Sequence, residues 1–382
     1  MKENLSFSDV ALVEEYIREN YDLRYNVLSG HMEMSGKPMT DRDRQDIILS
    51  ARDKFPDITG VKSIVQELLG STRIREYNPV DEFLKGLPSW DGNDHVSELM
   101  DHIPGICDEQ RKWIRTWLRS LVAQWREGDE LFGNQCVLTL IGAQGCRKSS
   151  FLRLLLPKCL REYYLDHINL GNAFSRDMAL TNNLIVNIDE MDQIKSCQQA
   201  ELKFSISQPV VNSRPIYGRQ QVKRKRYASF VATTNSPHPL QDATGSRRFL
   251  CVQIPFGRII DVETALDYGQ LYAQIADELD NQHLRTWFTD DEVAEIQSFN
   301  TKFQNVANLG QMLEICFRKP ESQEEASTAT LKDIVGIVTT QFPNSVKDKS
   351  LDVRLGILLS QQGYEKQHTR TGNVYNVVRL VA

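Results

Sequence analysis

Apolar residues recur at helical spacing along the segment from Asp108 to Arg126. Tryptophan, leucine, isoleucine and valine return every three or four residues, which makes one broad face of the expected helix apolar. The face consists of Trp113, Ile114, Trp117, Leu118, Leu121, Val122 and Trp125. Because helical periodicity predicts burial directly, packing of these tryptophans in a core is favoured over stacking on nucleic-acid bases.

Downstream of this helix, between residues 130 and about 255, short apolar runs alternate with helical patterns. The alternation predicts a parallel β-sheet whose strands are joined by crossover helices. The clearest strands are Cys136 to Ile141, Leu184 to Ile188, Phe230 to Thr234 and Phe249 to Ile254. We therefore expect an α/β fold with a central parallel sheet.

Residues 1 to about 75 predict a small α+β module without evident chemistry. Its expected elements are a helix through Val10, Val13 and Ile17, a hairpin that turns at Ser29-Gly30, and helices at Asp43 to Lys54 and Val61 to Leu69. Asp41 or Thr40 is expected to cap the first of the later helices, and Thr59 the second. Turn residues from Asn78 to Gly92 predict a linker.

The C-terminal part predicts helices at Leu331 to Gln341 and Ser350 to Gln361, then strands at Tyr364 to Thr369 and Val374 to Leu380. This order is typical of a winged-helix-like module, which is expected either to bind duplex DNA or to dock partners. The expected division is an N-terminal module with linker (1–92), a nucleotide-binding domain (93–290), a helical spacer with a polar linker (291–329) and the C-terminal module (330–382).

Composition is that of a globular protein with two or three domains: 382 residues, 41% hydrophobic and 25% charged. No apolar run approaches the roughly 18 residues that a membrane span requires. The seven cysteines form no C-x-x-C pair, and this favours buried thiols in a reducing, cytoplasmic compartment over disulfides or zinc ligands.

The stretch LTLIGAQGCRKSS, Leu138 to Ser150, has the layout of a phosphate-binding loop between a strand and a helix. Lys148 is expected to reach the β- and γ-phosphates of ATP, and the Ser149 hydroxyl to bind Mg²⁺. The binding loop comprises Gly142, Ala143, Gln144, Gly145, Cys146, Arg147, Lys148, Ser149 and Ser150. Arg147 stands where the usual pattern has glycine, and a side chain at this position could crowd the phosphates.

Polar side chains follow the later strands in an order that suits a nucleoside triphosphatase. Asp189 is expected to hold Mg²⁺ and Glu190 to polarise the attacking water. Asn235 follows the third strand, where it can sense a γ-phosphate. Arg247 and Arg248 precede the fourth strand, and one of them is expected to reach the γ-phosphate of a neighbouring subunit. The sequence thus predicts a P-loop ATPase core.

Several of these segments together resemble the virulence-associated E family of mobile-element ATPases, which are related to superfamily 3 helicases. The similar segments are YNPVDEFLKGLPSWDG (77–92), IGAQGCRKS (141–149), NIDEMD (187–192), RPIYGRQQVKRKRYASFVATTN (214–235) and GSRRF (245–249), with a lead-in at 16–33. The tail is similar to a C-terminal module of Bacteroides-type members. The resemblance implies a hexameric ring, a DNA-gripping hairpin within 214–235 and an association with primases.

A basic segment lies in an otherwise acidic chain of net charge −6. Residues 203 to 241 contain no aspartate or glutamate, and this favours a site for a phosphate backbone over a solvated charged hairpin. The expected contacts to single-stranded or forked DNA are Arg214, Arg219, Lys223, Arg224, Lys225 and Arg226.

We therefore expect an ATPase that binds DNA and acts in the replication of a mobile element, in the manner of a helicase. The alternative is an ATP-gated binding or signalling protein, in which nucleotide changes the oligomeric state or the partner contacts without unwinding. Crowding of the loop by Arg147 favours that alternative.

Overall fold

The computed structural model describes residues 7–126, 133–194, 196–213, 221–240, 246–303, 309–320, 327–342, 351–369 and 372–381. These residues fall into two compact units, one within Met1–Ser236 and Arg247–Ile296 and the other within Pro237–Ser246 and Gln297–Ala382. The finer domain boundaries at residues 92, 290 and 329 stay a prediction. No helix in the described ranges is long and apolar enough to cross a membrane.

The first unit begins with the expected α+β module. Its elements are α1 (Phe7–Asn20), β1 (Leu23–Asn26), β2 (His31–Met34), β3 (Lys37–Pro38), α2 (Asp41–Lys54), α3 (Val61–Leu69), β4 (Arg75–Tyr77) and α4 (Pro79–Lys85). The sheet has the order β3-β2-β1-β4, and β1 and β2 form the predicted hairpin. Helices α1, α2 and α3 pack their apolar faces together through Val13, Ile17, Ile47 and Val65.

Two local predictions for this module were wrong. Thr40 caps α2 in a reciprocal capping box with Asp43, as expected, but Gly60 in the left-handed conformation precedes α3, so Thr59 is not its cap. The segment expected to be a linker contains α4, because Asn78 caps it with its side chain and Pro79 occupies its first turn.

The larger part of the first unit is built around a five-stranded parallel sheet with the order β11-β5-β10-β7-β6. Its elements are α5 (His95–Asp101), α6 (Asp108–Trp125), β5 (Val137–Ile141), α7 (Lys148–Leu154), β6 (Tyr164–Leu165), α8 (Ala173–Asn182), β7 (Ile185–Ile188), α9 (Ser196–Ser207), β8 (Val210–Ser213), β9 (Val222–Lys225), β10 (Ser229–Thr234), β11 (Phe249–Gln253), α10 (Tyr268–Asp280) and, as far as Ile296, α11 (Asp290–Asn300). The predicted α/β architecture with a central parallel sheet is confirmed.

The long amphipathic helix α6 packs in the core, as its periodicity predicts. Trp113, Trp117 and Trp125 are buried, and the Trp117 indole N–H donates a hydrogen bond of 3.0 Å to the Cys136 carbonyl at the entry to β5. Burial of these rings excludes base stacking by this stripe.

The second unit contains α12 (Leu309–Cys316), β12 (Phe317–Arg318), β13 (Ser327–Thr330), α13 (Leu331–Gln341), α14 (Leu351–Gln361), β14 (Lys366–Thr369) and β15 (Gly372–Arg379). Strand β15 pairs antiparallel with β12, β13 and β14. The helices α13 and α14 and the last two strands match the expected order. Strand β13 was not predicted, because the polar linker was expected to extend to residue 329. The winged-helix assignment stays a prediction.

A buried polar cluster joins the N-terminal module to the parallel-sheet part of the first unit. Asn26 is fully buried, and its amide donates to a Glu33 carboxylate oxygen at 2.6 Å and to the Tyr163 hydroxyl at 2.7 Å. Its carbonyl oxygen accepts from the backbone N–H groups of Leu28 and Ser29. One side chain thus closes the hairpin turn and contacts the residue that precedes β6.

We predict that Asn26→Ala lowers the free energy of unfolding by about 2–4 kcal/mol, because the buried Glu33 carboxylate loses one of its donors and the backbone N–H groups of Leu28 and Ser29 lose their acceptor. Chemical denaturation measures the change. The matched control is Asn20→Ala on the exposed end of α1, where the amide bonds only to the Tyr16 carbonyl, and its effect should stay within about 0.5 kcal/mol. Equal effects at both sites would contradict the role assigned to Asn26.

Candidate functional site

The carboxyl ends of β5, β7 and β10 meet at one edge of the parallel sheet. In the register, Thr234 at the end of β10 pairs with Ile141 at the end of β5, and Ala232 pairs with Ile188 at the end of β7. The next residues in each chain segment are Gly142, Asp189 and Asn235. The three segments singled out in the sequence therefore share one site, with β10 in the middle.

Lys148 lies at the centre of this edge and is buried, with 7% of its surface exposed. Its ammonium group donates to the carbonyls of Gly142 at 2.7 Å and Ala143 at 2.9 Å, and to the side-chain oxygen of Asn235 at 3.0 Å. The Cys146 sulfur lies 3.7 Å away. An ammonium group has three N–H donors, so these oxygens hold it in a defined position between the loop and the end of β10.

Two glycines suit the path of the loop after β5. A Cβ atom on Gly142 would lie 3.0 Å from the Ile254 Cβ and 3.1 Å from the Cys146 sulfur, which is tighter than nearly all Cβ contacts in proteins. Gly145 has φ of +82°, a conformation that favours glycine. Cys146 is buried and fills space inside the loop.

Arg147 adopts the left-handed conformation, with φ of 67° and ψ of 26°, immediately before α7. This geometry explains why glycine suits the position, and it strains an arginine by about 1–2 kcal/mol. Its guanidinium forms an ion pair of 2.9 Å with Glu263. The Ile260 N–H donates to the Cys146 carbonyl at 3.1 Å, so the segment that follows β11 lies along the loop.

The acidic side of the edge is ordered by two threonines of β10 that sequence analysis did not single out. The buried Thr233 hydroxyl donates to Asp189, and the buried Thr234 hydroxyl donates to Asp192. Both acids belong to the NIDEMD segment. The sequence signal for these two contacts was a third acid, Asp192, in that segment, together with two consecutive threonines immediately before Asn235. Asp189 and Glu190 are exposed at the edge.

Two strained backbone positions lie at the same place. Among the described residues, Ser35, Arg147, Glu190 and His283 are the non-glycine residues with positive φ, and two of these four belong to the candidate site. Glu190 has φ of 49° at the turn that leaves β7. Residues held in sparsely populated conformations cluster at functional sites because the surrounding structure holds them there.

The remaining loop residues are accessible at this edge. Ala143, Gln144, Ser149 and Ser150 are exposed, and the Ser149 hydroxyl directly follows Lys148. The loop, the acids and Asn235, which are all expected to act on one ATP, thus lie together at this edge of the sheet.

Arg247 and Arg248 lie at the other edge of the sheet, in a short turn before β11. Phe249 pairs in parallel register with Val137, so both arginines lie beside the start of β5. The length of the strand, about 17 Å, separates them from the loop that begins at Gly142. The Cys136 thiol contacts the Arg247 carbonyl at 3.9 Å. Burial raises the pKa of this thiol to about 12, although the charges of Arg248 and Arg247 oppose the shift.

The basic segment forms an antiparallel hairpin of β8 and β9, and its first strand begins four residues earlier than expected. Arg214 and Arg219 lie outside the described residues. Lys223 is exposed. The half-buried Arg224 donates to the Asn182 side chain at 2.9 Å, and Lys225 donates to the Trp125 carbonyl at 2.9 Å.

Arg226 requires a correction, because it was expected to contact DNA and is instead fully buried, with 1% of its surface exposed. Its guanidinium donates to four backbone carbonyls within 3.1 Å.

Comparison with solved structures gives matches over nearly the whole chain at low identity. The apo structure of the NrS-1 C-terminal region has 13% identity and a TM-score of 0.49, with 98% of this chain and 100% of that chain covered. An A-form apo structure of the same region has 14% identity and a TM-score of 0.47, with 97% and 99% covered. No match was found among curated proteins.

Comparison with protein families gives one match, to the model described as the virulence-associated protein E-like domain. The match covers residues 84–305, which is more than half of the 382 residues and includes the parallel sheet and the whole of the candidate site. The chain therefore belongs to the family of virulence-associated protein E-like domains.

Proposed function

We propose that this chain hydrolyses ATP at the carboxyl edge of its parallel sheet and couples hydrolysis to DNA binding in the replication of a mobile element. The observation that supports this proposal most strongly is the convergence of Lys148, Asn235 and the Asp189-Glu190 pair at one edge. A buried lysine held by neutral oxygens, with exposed carboxylates on the neighbouring strand, is suited to a triphosphate and a divalent cation.

Binding of ATP is proposed to use Lys148 and the loop from Gly142 to Ser150. The Lys148 ammonium is held by carbonyl and amide oxygens. Phosphate oxygens are stronger acceptors for this cation than neutral carbonyls, so a triphosphate can take their place. The loop glycines let the backbone approach a ligand closely.

The exposed oxygen ligands at the edge fit Mg²⁺. Ser149 offers a hydroxyl and Asp189 a carboxylate that Thr233 orients, and hard oxygen donors are what this ion prefers. The described residues contain no group of three or more His, Cys, Asp or Glu side chains able to hold a metal. One or two protein oxygens together with substrate phosphates is the usual arrangement for Mg²⁺. When bound, the ion would neutralise developing charge on the phosphates.

The proposed reaction is in-line attack of water on the γ-phosphate. Glu190 is exposed next to Asp189 and accepts the proton of the attacking water. Asn235, which contacts Lys148 at 3.0 Å, senses the γ-phosphate and changes partners when it is lost. The hydrogen bonds from Thr233 to Asp189 and from Thr234 to Asp192 keep the acidic segment in register with β10.

Arg247 and Arg248 are proposed to act on the site of a neighbouring subunit. Both lie at the amino edge of the sheet, a strand length from Lys148 in the same chain. A ring places the amino edge of one subunit against the site of the next, and the family resemblance implies six subunits. Arg247 is the more exposed of the two residues.

Single-stranded or forked DNA is proposed to bind the β8–β9 hairpin, with Lys223 at its surface and Arg214 and Arg219 in the same segment. Arg224 and Lys225 can contribute charge while their side chains stay bonded to Asn182 and Trp125. Association with a primase is a further part of the proposal.

The alternative, an ATP-gated signalling protein, depended on crowding of the loop by Arg147. The ion pair of Arg147 with Glu263 weakens that argument. Measurement of ATP turnover with and without single-stranded DNA, beside unwinding of a forked duplex, separates the two functions. Stimulated turnover with unwinding supports the proposal, whereas ATP binding that changes only the oligomeric state supports the alternative.

We predict that Lys148→Ala weakens ATP binding, while Glu190→Gln retains binding and loses about 10²–10⁴-fold in turnover, because only the positioned base is removed. Equilibrium ATP binding and single-turnover hydrolysis measure the two effects. Lys158→Ala and Glu295→Gln, at exposed positions outside the site, are the matched controls. A Glu190→Gln protein that turns over ATP at the unaltered rate would remove Glu190 from the mechanism.

Arg147→Gly is expected to leave ATP affinity nearly unchanged. Glycine relieves about 1–2 kcal/mol of left-handed strain, and the exposed ion pair with Glu263 contributes at most about 1 kcal/mol. Arg147→Val should instead lower stability by about 1 kcal/mol or more, because a β-branched residue is an outlier in this conformation. Thermal unfolding and ATP titration test both variants. A large loss of affinity in Arg147→Gly would make Arg147 a phosphate ligand.

Mixing of variant subunits tests whether Arg247 or Arg248 acts on the site of a neighbouring subunit. The Arg247→Ala/Arg248→Ala double variant should lose about 10³–10⁵-fold in turnover if one arginine completes a neighbouring site. Adding Glu190→Gln subunits, which are themselves inactive, should restore part of the activity, because mixed interfaces regain an intact site. Normal hydrolysis by the double variant alone would refute the ring arrangement.

A further inference from the structure

We infer that Arg226 is a positioning residue that links the β8–β9 hairpin to the strands and the helix around the candidate site. The inference rests on the proposed function, since it assigns to Arg226 the transmission of DNA binding to ATP turnover. Arg226 directly follows β9, whose last residue is Lys225, so it stands at the base of the hairpin.

Backbone carbonyls from three separate segments converge on the Arg226 guanidinium. Nη1 donates to the carbonyls of Ile206 at 2.7 Å and Gln208 at 2.8 Å. Nη2 donates to Asn134 at 3.1 Å, and Nε to Ala228 at 2.8 Å. Four of the five guanidinium N–H donors are therefore used within the protein.

Each acceptor belongs to an element that leads to the candidate site. Ile206 and Gln208 lie at the carboxyl end of α9, the helix that follows the NIDEMD segment. Asn134 precedes β5, and Ala228 precedes β10. Lys148 follows β5 and Asn235 follows β10 at the other edge of the same sheet. The guanidinium thus joins the base of the hairpin to the entries of β5 and β10 and to the end of α9.

The charge of Arg226 is balanced by dipoles. In the part of the chain that the structure describes, all its hydrogen-bond acceptors are main-chain carbonyls. Burial lowers the pKa of Arg226 to about 9, which still leaves the group charged at neutral pH. A cation also suits the end of α9, where the last carbonyls lack helical partners and carry the negative end of the helix dipole. The ring of Phe230, 5.3 Å from the guanidinium carbon, adds a cation–π contact.

Further hydrogen bonds hold the segments around Arg226 in place. The Gln124 side chain donates to the Ala228 carbonyl at 2.6 Å and accepts from the Asn134 N–H at 2.7 Å. The Asn134 amide donates to the Ser229 hydroxyl at 3.0 Å. A shift of the hairpin must therefore either move the entries of β5 and β10 together or break hydrogen bonds to a buried charge, which is costly.

Arg226→Lys is the variant that tests this role. Lysine keeps the positive charge but lacks the planar guanidinium whose N–H groups bond to three separate segments. We expect basal ATP turnover to stay close to that of the unaltered chain, while the maximal stimulation at saturating single-stranded DNA falls by about fivefold or more, the lower end of a typical coupling. The matched comparison is Lys223→Met, which should raise the DNA concentration for half-maximal stimulation and leave maximal stimulation unchanged.

A purely structural Arg226 would give a different result: basal and stimulated turnover would fall in parallel with the folded fraction, and the stimulation ratio would persist. That outcome overturns the inference. Absence of ATP turnover in the unaltered chain overturns the proposed function as well, so the two failures are distinguishable.

Hydrogen exchange of the unaltered protein tests the same link without a variant. A non-hydrolysable Mg·ATP analogue, added without DNA, should change the exchange of backbone amides at 222–228 and 204–208. Exchange that changes only around 142–150 and 189–192 would overturn the inference, even if Arg226→Lys proves too unstable to assay.

Discussion

Strand β10 lies between β5 and β7, and the arrangement of the candidate site depends on this parallel pairing. The register places Thr234 beside Ile141 and Ala232 beside Ile188, so the loop after β5 and the acids after β7 both border the end of β10. Thr233, Thr234 and Asn235 then bond to Asp189, Asp192 and Lys148 in turn. A shift of β10 by one residue would turn each of its side chains to the opposite face of the sheet and would separate Thr233, Thr234 and Asn235 from these partners.

Two buried cations occupy the two edges of this sheet. Lys148 at the carboxyl edge and Arg226 at the amino edge are both held by main-chain carbonyls. Carbonyl dipoles stabilise a positive charge without neutralising it, so each cation keeps its attraction for anions or for other dipoles. The charge of Lys148 can therefore still bind a phosphate. The contacts of Arg226 use nearly all of its N–H donors, so its role is to hold the surrounding segments together.

The site could be predicted from sequence because its members follow strands, and the carboxyl ends of neighbouring parallel strands meet at one edge. Periodicity likewise predicted α6 and the burial of its tryptophans. Arg226 could not be placed in this way, because it lies in a run of basic residues without periodicity and its acceptors are backbone carbonyls of Asn134, Ile206 and Gln208, whose proximity only the tertiary fold creates.

Two further differences have local causes. The Asn78-Pro79 pair is a turn signal and equally a helix start, and here the side chain of Asn78 caps α4. Strand β13 consists of small polar residues with no strand pattern, and it is stabilised by pairing along β15 nearly 50 residues later in the chain. In both places non-local packing or capping decides between alternatives that the local sequence permits.

A structure of the chain with a non-hydrolysable Mg·ATP analogue would show directly whether this edge of the sheet binds the triphosphate. We predict that the phosphates lie within the loop from Gly142 to Ser149, and that the Lys148 ammonium exchanges its bonds to the Gly142 and Ala143 carbonyls for phosphate oxygens while Asp189 and Asn235 remain at the same edge. A nucleotide bound elsewhere, or a Lys148 that keeps both carbonyl bonds with nucleotide present, would contradict it.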